Sequence, residues 1–406
     1  MKLKPIITSL LQNDAYKFNM GNVIFLKFND KTTRWRFKCR TSDVKFIPEM
    51  ITEIREQVDH LCTLRFTDDE LDYLRKNFPW LSTGYINFLK YFKLDRNEIK
   101  INEDNIQAYN DCGLAIEASG TWLSTEFFEI PILSIVNEIY FAFKYGAGSK
   151  DIEFQKRTMK KFEGLNASNN YDIGTFAEFG MRRRYSSDMQ DWLIKYIVDQ
   201  KIPGFVGTSN VYLAKKYGVK AIGTCAHSMG MTMMTDQEYN CAYVNSRLMK
   251  VWTDVYGTKN GIYLTDLLGR EAFLLDFNDR YATLFNGVRH DSGDPIEWGE
   301  DMITHYKKLG IDPLTKTLLF SDALDFERAT KIYKHFNGRV KVAFGIGTFL
   351  SCDLDVNSLN IVMKVVEADG YPTCKLTDNP EKAMGDNQEY IDFVKRSVEW
   401  RIRHGK

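Results

Sequence analysis

From residue 171 onward the chain is punctuated by short apolar runs, each closing on a polar or glycine-rich cluster and most followed by helical sequence. The runs are Tyr171–Gly180, Gly204–Asn210, Lys220–Ser228, Ile262–Asp266, Leu284–Asp294, Thr317–Asp325 and Lys341–Thr348, with an eighth at Ile361–Asp369. Strands alternating with helices form parallel sheets through right-handed crossovers. So many units in one stretch predict an irregular (β/α) barrel, with an open doubly wound sheet as the alternative. In both folds ligands bind at the C-terminal ends of the strands, and that is where these polar clusters fall.

The preceding residues read as an N-terminal α+β domain. Arg34 to Arg40 alternates cations with apolar residues, a strand pattern. Thr67 and Glu70 have capping-box spacing and open a helix. Leu114–Gly120 and Thr121–Ile130 read as two further strands, and Pro131 as the start of an apolar helix. The expected division is 1–135 for the α+β domain and 136–370 for the barrel. The segment 371–406 is expected to pack back on the N-terminal domain.

Charge narrows the partners. Lys+Arg and Asp+Glu are equal at 54 each, so nucleic acid and membrane surfaces are not expected partners, and any anion must be met by local cations. The 7 cysteines include no C-x-x-C pair, which fits a reduced interior rather than a disulfide scaffold. No signal-like run opens the sequence, and no stretch reaches the ~18 apolar residues of a membrane span. A cytoplasmic protein is expected.

Each strand-end cluster has a functional and a bland reading. Arg182, Arg183 and Arg184 follow Glu178-Phe179-Gly180 and either meet a phosphate or form a solvated charge run. Gly207-Thr208-Ser209-Asn210 offers neutral donors and acceptors, or a helix cap. His227, flanked by small residues, can serve as acid, base or covalent phosphate acceptor, or be structural. Arg289-His290-Asp291-Ser292-Gly293-Asp294 holds more polar groups than one cap needs: Arg289 can bind an anion and Asp291 can orient a hydroxyl or metal-bound water. Ser321-Asp322 and Asp325 sit at another strand end. Gly345-Ile346-Gly347-Thr348 can turn backbone N–H groups to a phosphate, but the dinucleotide fingerprint is absent. No Cys/His cluster cages a zinc ion, so no metal is assigned to protein ligands.

Taken in order, these clusters resemble nicotinate phosphoribosyltransferases. The resemblance runs from Asp14-Ala15-Tyr16-Lys17, through Phe37–Arg40, Glu178–Ser186, Gly207–Asn210, Gly223–His227, Arg289–Pro295, Phe320–Asp322 and Phe344–Thr348, to Lys375-Leu376-Thr377-Asp378. It implies NAD salvage: nicotinate and 5-phosphoribosyl 1-pyrophosphate give nicotinate mononucleotide and pyrophosphate, with ATP as co-substrate and Mg²⁺ as cofactor. It also implies a homodimer. By resemblance, Tyr16, from the partner subunit, and Phe179 sandwich the pyridine ring. Ser209, Asn210 and Arg289 surround its carboxylate, and Asp291 holds the ribose hydroxyls. Gly345, Gly347 and Thr348 bind the 5′-phosphate, Arg40 and Arg182 add cations, and His227 is the phosphohistidine. The stretch Asn379-Pro380-Glu381-Lys382 is a nucleotide contact or a surface loop. Two other readings remain at this point: a nicotinamide-specific transferase, and a non-catalytic barrel that binds phosphorylated metabolites.

Overall fold

A computed structural model describes residues 2–103, 106, 108, 111–166, 171–378 and 384–405. The chain divides into two compact units. One comprises Met1–Asn170, Ala177–Gly223 and Ile346–Lys364; the other comprises Tyr171–Phe176, Thr224–Gly345 and Val365–Lys406. This division differs from sequence boundaries at 135 and 370. The C-terminal helix Gln388–His404 belongs to the second unit, where Arg401 pairs with Asp276 at 2.8 Å. A buried ion pair between residues so far apart in sequence leaves no local trace.

The first unit carries an antiparallel sheet. β1 (Thr32–Cys39) pairs with β3 (Ile116–Thr121), which pairs with β2 (Ile99–Ile101). The alternation that predicted β1 explains its packing. Thr33, Trp35 and Phe37 are buried, while Arg34 and Arg36 on the opposite face meet Glu117 of β3 at 3.3 and 3.4 Å. The capping box forms, with Thr67 and Glu70 opening the helix Asp68–Asn77. Residues 121–130 are not a strand: they form the helix Trp122–Thr125 and lead into the helix Glu129–Tyr145. Trp122, Leu123, Thr125, Phe127, Phe128 and Ile130 are all buried, and a run buried on every side has no period to tell strand from helix. Pro131 sits in the first turn of the second helix, where its missing N–H costs nothing.

The parallel strands are β4 (Thr175–Glu178), β5 (Phe205–Thr208), β6 (Lys220–Ala221), β7 (Ile262–Leu264), β8 (Gly287–His290), β9 (Thr317–Phe320) and β10 (Lys341–Ile346), in the sheet order β6-β5-β4-β10-β9-β8-β7. This is the expected irregular (β/α) barrel arrangement, with two corrections. Within 220–228 only the first two residues are strand, and His227 instead begins the helix His227–Met233. The eighth run, β11 (Ile361–Ala368), lies in the antiparallel sheet. Asp369 and Gly370, both at positive φ (49° and 80°), turn it back into β12 (Tyr371–Pro372). An Asp-Gly pair of that conformation is a hairpin turn rather than a crossover.

Candidate active site

In the first unit the ends of β4 and β5 are tied together below the surface. Glu178, fully buried at the end of β4, accepts from Thr208 (2.6 Å), the Gly180 N–H (2.6 Å) and Gln190 (3.1 Å). Gln190 in turn accepts from Asn210 and Arg184, each at 3.1 Å. Gly180 is required here, because a Cβ would lie 2.0 Å from Ser351 Oγ. The three arginines separate by role. Arg184 is buried and also donates to the Ile6 carbonyl, and Arg183 donates to the Ile361 carbonyl and Asn360. Arg182 is half-buried, and its charge bears on Asp14 and Glu129.

The Asp14–Lys17 segment reaches this strand end within one chain. Asp14 bridges to Asn210, and the Ala15 N–H donates to the Ser209 carbonyl at 2.8 Å. Ser209 Oγ donates to Asp14 Oδ1 at 2.6 Å, and burial raises the Asp14 carboxyl to about 6. Ser209 therefore turns its lone pairs, not its proton, away from Asp14. Asn210 caps the helix Val211–Tyr217 through Leu213 N at 3.3 Å and is wholly buried; its contacts are those of a cap. Tyr16 follows Asp14, and burial, then Glu129, pushes its phenol well above its ordinary range. Phe179 is half-buried and donates its N–H to the Ile346 carbonyl at 2.8 Å, beside Gly347. Thr348 opens the short helix Thr348–Ser351, and Arg40 lies half-buried just past β1.

The second unit holds His227, Arg289, Asp291 and Gly345. His227 is 6% exposed, and its Nε2 meets Asp266 Oδ1 at 2.8 Å. Its Nδ1 faces Asp291 Oδ2 at 3.9 Å, beyond hydrogen-bonding distance. Burial, reinforced by the Lys375 charge, lowers the imidazole to about 4, so the ring is neutral at physiological pH. Burial would raise Asp266. The His227 N–H, the Lys375 ammonium and Ser292 outweigh burial and hold Asp266 well below the usual carboxylate range. Burial likewise opposes ionisation of Asp291, and Arg289 overcomes it. Among the described residues, Arg289 Nε is buried with no hydrogen-bond partner, a donor suited to an incoming anion. Gly345 is buried near the end of β10.

The bland readings hold at the neighbouring positions. His290 bonds to the Gly293 carbonyl and packs on Trp298 and Phe320. Asp294 and Asp325 cap the helices Pro295–Lys308 and Phe326–Phe336. Residues 379–382 lie outside the described residues.

His227, Asp266 and Asp291 could together bring ligand atoms to a metal ion. Both Asp266 oxygens accept from donors, and Asp291 Oδ1 is met by Ser321 Oγ at 3.3 Å. Asp291, half-buried where Asp266 is wholly buried, is the more accessible of the two carboxylates to a cation. Asp266, Ser292, Lys375 and Thr377 carry this cluster alongside His227. In the sequence Ser292 reads only as an alternative helix cap to Asp294, Lys375 and Thr377 only as part of the family motif, and Asp266 has no role. Asp266 closes one of the predicted runs, and that position was its only signal.

Residues 175–399 match the nicotinate phosphoribosyltransferase family, and residues 11–137 match its N-terminal domain. The chain belongs to the nicotinate phosphoribosyltransferase family. It is 39% identical over 405 residues to the nicotinate phosphoribosyltransferase of Burkholderia mallei, covering 96% of each chain. It is 36% identical over 398 residues to that of Yersinia enterocolitica, covering 97% of this chain and 96% of that one. The crystal structure of nicotinate phosphoribosyltransferase from Vibrio cholerae superposes with TM-score 0.89 at 33% identity, covering 99% of this chain and 98% of that one. The Porphyromonas gingivalis structure gives 0.88 at 32% identity, covering 97% and 100%. The chain is therefore an enzyme of NAD biosynthesis. Among the described residues no helix is long and apolar enough to cross a membrane.

Proposed function

We propose that this enzyme transfers the phosphoribosyl group of 5-phosphoribosyl 1-pyrophosphate to nicotinate, and couples the transfer to ATP hydrolysis through a phosphohistidine at His227. Family membership supports the transfer. The observation that supports the coupling is the asymmetric setting of His227: Nε2 is held by Asp266 at 2.8 Å, while Nδ1 faces Asp291 at 3.9 Å.

A neutral imidazole whose Nε2–H is held by a carboxylate keeps a lone pair on Nδ1. That nitrogen attacks the γ-phosphorus of ATP. The Nδ1–P bond forms, the bond to the bridging oxygen breaks, and ADP leaves with the electron pair. No proton need leave Nδ1, and Asp266 offsets positive charge that builds on the ring. Water later takes the phosphoryl group and restores the lone pair. At the transfer step positive charge develops on the ribose, so positioning and charge placement carry the catalysis.

In this reading, which follows the family resemblance, Tyr16 and Phe179 flank the pyridine ring and Arg289 meets its carboxylate, with Ser209 joining it once its hydroxyl turns from Asp14 to the ligand. Asp291 holds the ribose hydroxyls, and Gly345, Gly347 and Thr348 bind the 5′-phosphate with Arg40 and Arg182 nearby. Asn210 caps its helix and holds Gln190 rather than touching the base. Mg²⁺ would enter with the polyphosphates beside Asp291, where it neutralises their charge. The working enzyme is a homodimer.

One observation favours an amide-bearing base: the Asp14 carboxylate stands directly behind Ser209. Competing nicotinate with nicotinamide in one assay decides the point. The expected product is nicotinate mononucleotide, with pyrophosphate released. His227→Ala is expected to lose ATP coupling while keeping some ATP-independent transfer. Unchanged coupling in that variant would remove His227 from the mechanism, and product from nicotinamide alone would overturn the substrate assignment.

A further inference from the structure

Asp266 is held from behind as firmly as it holds His227. One oxygen, Oδ1, accepts from His227. The other, Oδ2, is met by Ser292 Oγ at 2.8 Å, Thr377 Oγ1 at 3.0 Å and Lys375 Nζ at 3.2 Å. Thr377 Oγ1 also lies 2.8 Å from Ser292 Oγ. Its single hydroxyl proton therefore backs the carboxylate directly or through Ser292. Donors converging on one oxygen fix the plane of the carboxylate, and with it the direction in which Oδ1 presents its lone pairs.

The segment that delivers Thr377 is itself pinned on both sides. The Leu376 N–H donates to the Leu267 carbonyl at 3.0 Å, and Asp378 Oδ1 accepts from the Arg270 N–H at 2.6 Å. Leu267 and Arg270 follow Asp266 directly in sequence, so the two strips are laced side by side. Thr377 sits at φ 60°, a left-handed conformation that β-branched residues avoid and glycine or asparagine adopts readily. A turn alone would not call for threonine. The hydroxyl is what a glycine there would lack.

We infer that Thr377 is a positioning residue, whose hydroxyl fixes the Asp266 carboxylate so that His227 keeps its proton on Nε2 and presents Nδ1. This rests on the reading of His227 as phosphoryl acceptor, but the tautomer itself can be read without ATP.

The test compares the full-length enzyme with Thr377→Val, which removes the hydroxyl and keeps the branch, and with Thr377→Ser, which keeps the hydroxyl. Thr377→Ala serves in place of the valine variant should that one fail to fold. In ¹⁵N-histidine NMR, His227 in the native enzyme and in T377S should show one neutral tautomer protonated on Nε2. In T377V it should show a mixture, and phosphohistidine formation from ATP should fall about tenfold, the loss expected for one hydrogen bond to a carboxylate. A T377V tautomer identical to the native one overturns the inference. So does T377S behaving like T377V, which would assign the effect to the methyl group. If T377V and T377S separate in tautomer while no protein forms phosphohistidine, the positioning stands and the phosphoryl-acceptor reading fails.

Discussion

Two buried ionic clusters in this chain share their ingredients and differ in what they leave over. In the first unit, Lys17 is wholly buried between Glu126 and Glu129, over the ring of Trp35. Glu126 also accepts from Trp122, and Lys364 lies 3.9 Å from Glu129. Burial alone would neutralise Lys17, but the two carboxylates raise it. Burial also works against Glu129, yet Lys17, then Lys364 and Arg182, bring it down to about 2. Lys17 and Glu129 are thus compensated from within, while burial still raises the Glu126 carboxyl. In the second unit Asp266 is also compensated, but among the described residues the second nitrogen of the histidine it holds has Asp291 at 3.9 Å and no hydrogen bond. Burial and charge alone do not distinguish the two. In the proposed mechanism the lone pair left on Nδ1 is what sets the second cluster apart.

Substitutions should pull the clusters apart in different observables. The largest effect is expected from Asp266→Asn. An amide can donate to Nε2, which moves the ring proton to Nδ1 and removes the lone pair. Initial rates of phosphohistidine labelling should fall by up to about 10⁴-fold, the loss seen when a catalytic histidine is held in the wrong tautomer. A loss under about tenfold would place the proton elsewhere. Lys17→Met should act on stability instead. Two buried carboxylates lose the cation between them, and denaturant unfolding should show a loss of about 3–5 kcal/mol. A loss under about 1 kcal/mol would mean that the cluster relaxes or takes up protons at little cost.

The same contrast explains how much the sequence discloses. Local patterns were legible. β1 could be read from its alternation, the helix at Asp68 from Thr67 and Glu70, and seven parallel strands from apolar runs ending in polar clusters. His227 stood out because small residues flank it. Reading failed where the deciding contact is distant or where burial removes the period. Residues 121–130 look like a strand because every side is buried. β11 looks like a barrel strand until the Asp369-Gly370 turn is given its hairpin meaning. Asp266, Ser292, Lys375 and Thr377 come from three separate stretches, and no spacing rule joins them. Asn210 carried both a ligand and a cap reading, and only its bond to Gln190 and its place at the start of a helix separate them.

The central claim is that His227 accepts a phosphoryl group on Nδ1 because Asp266 holds Nε2. The direct measurement is to incubate the enzyme with γ-labelled ATP and Mg²⁺, digest it in alkali and separate the two phosphohistidine isomers. The label should appear as the Nδ1 isomer, in the peptide containing His227, and should be absent from the His227→Ala protein. Label on Nε2, or on any other residue, would contradict the account.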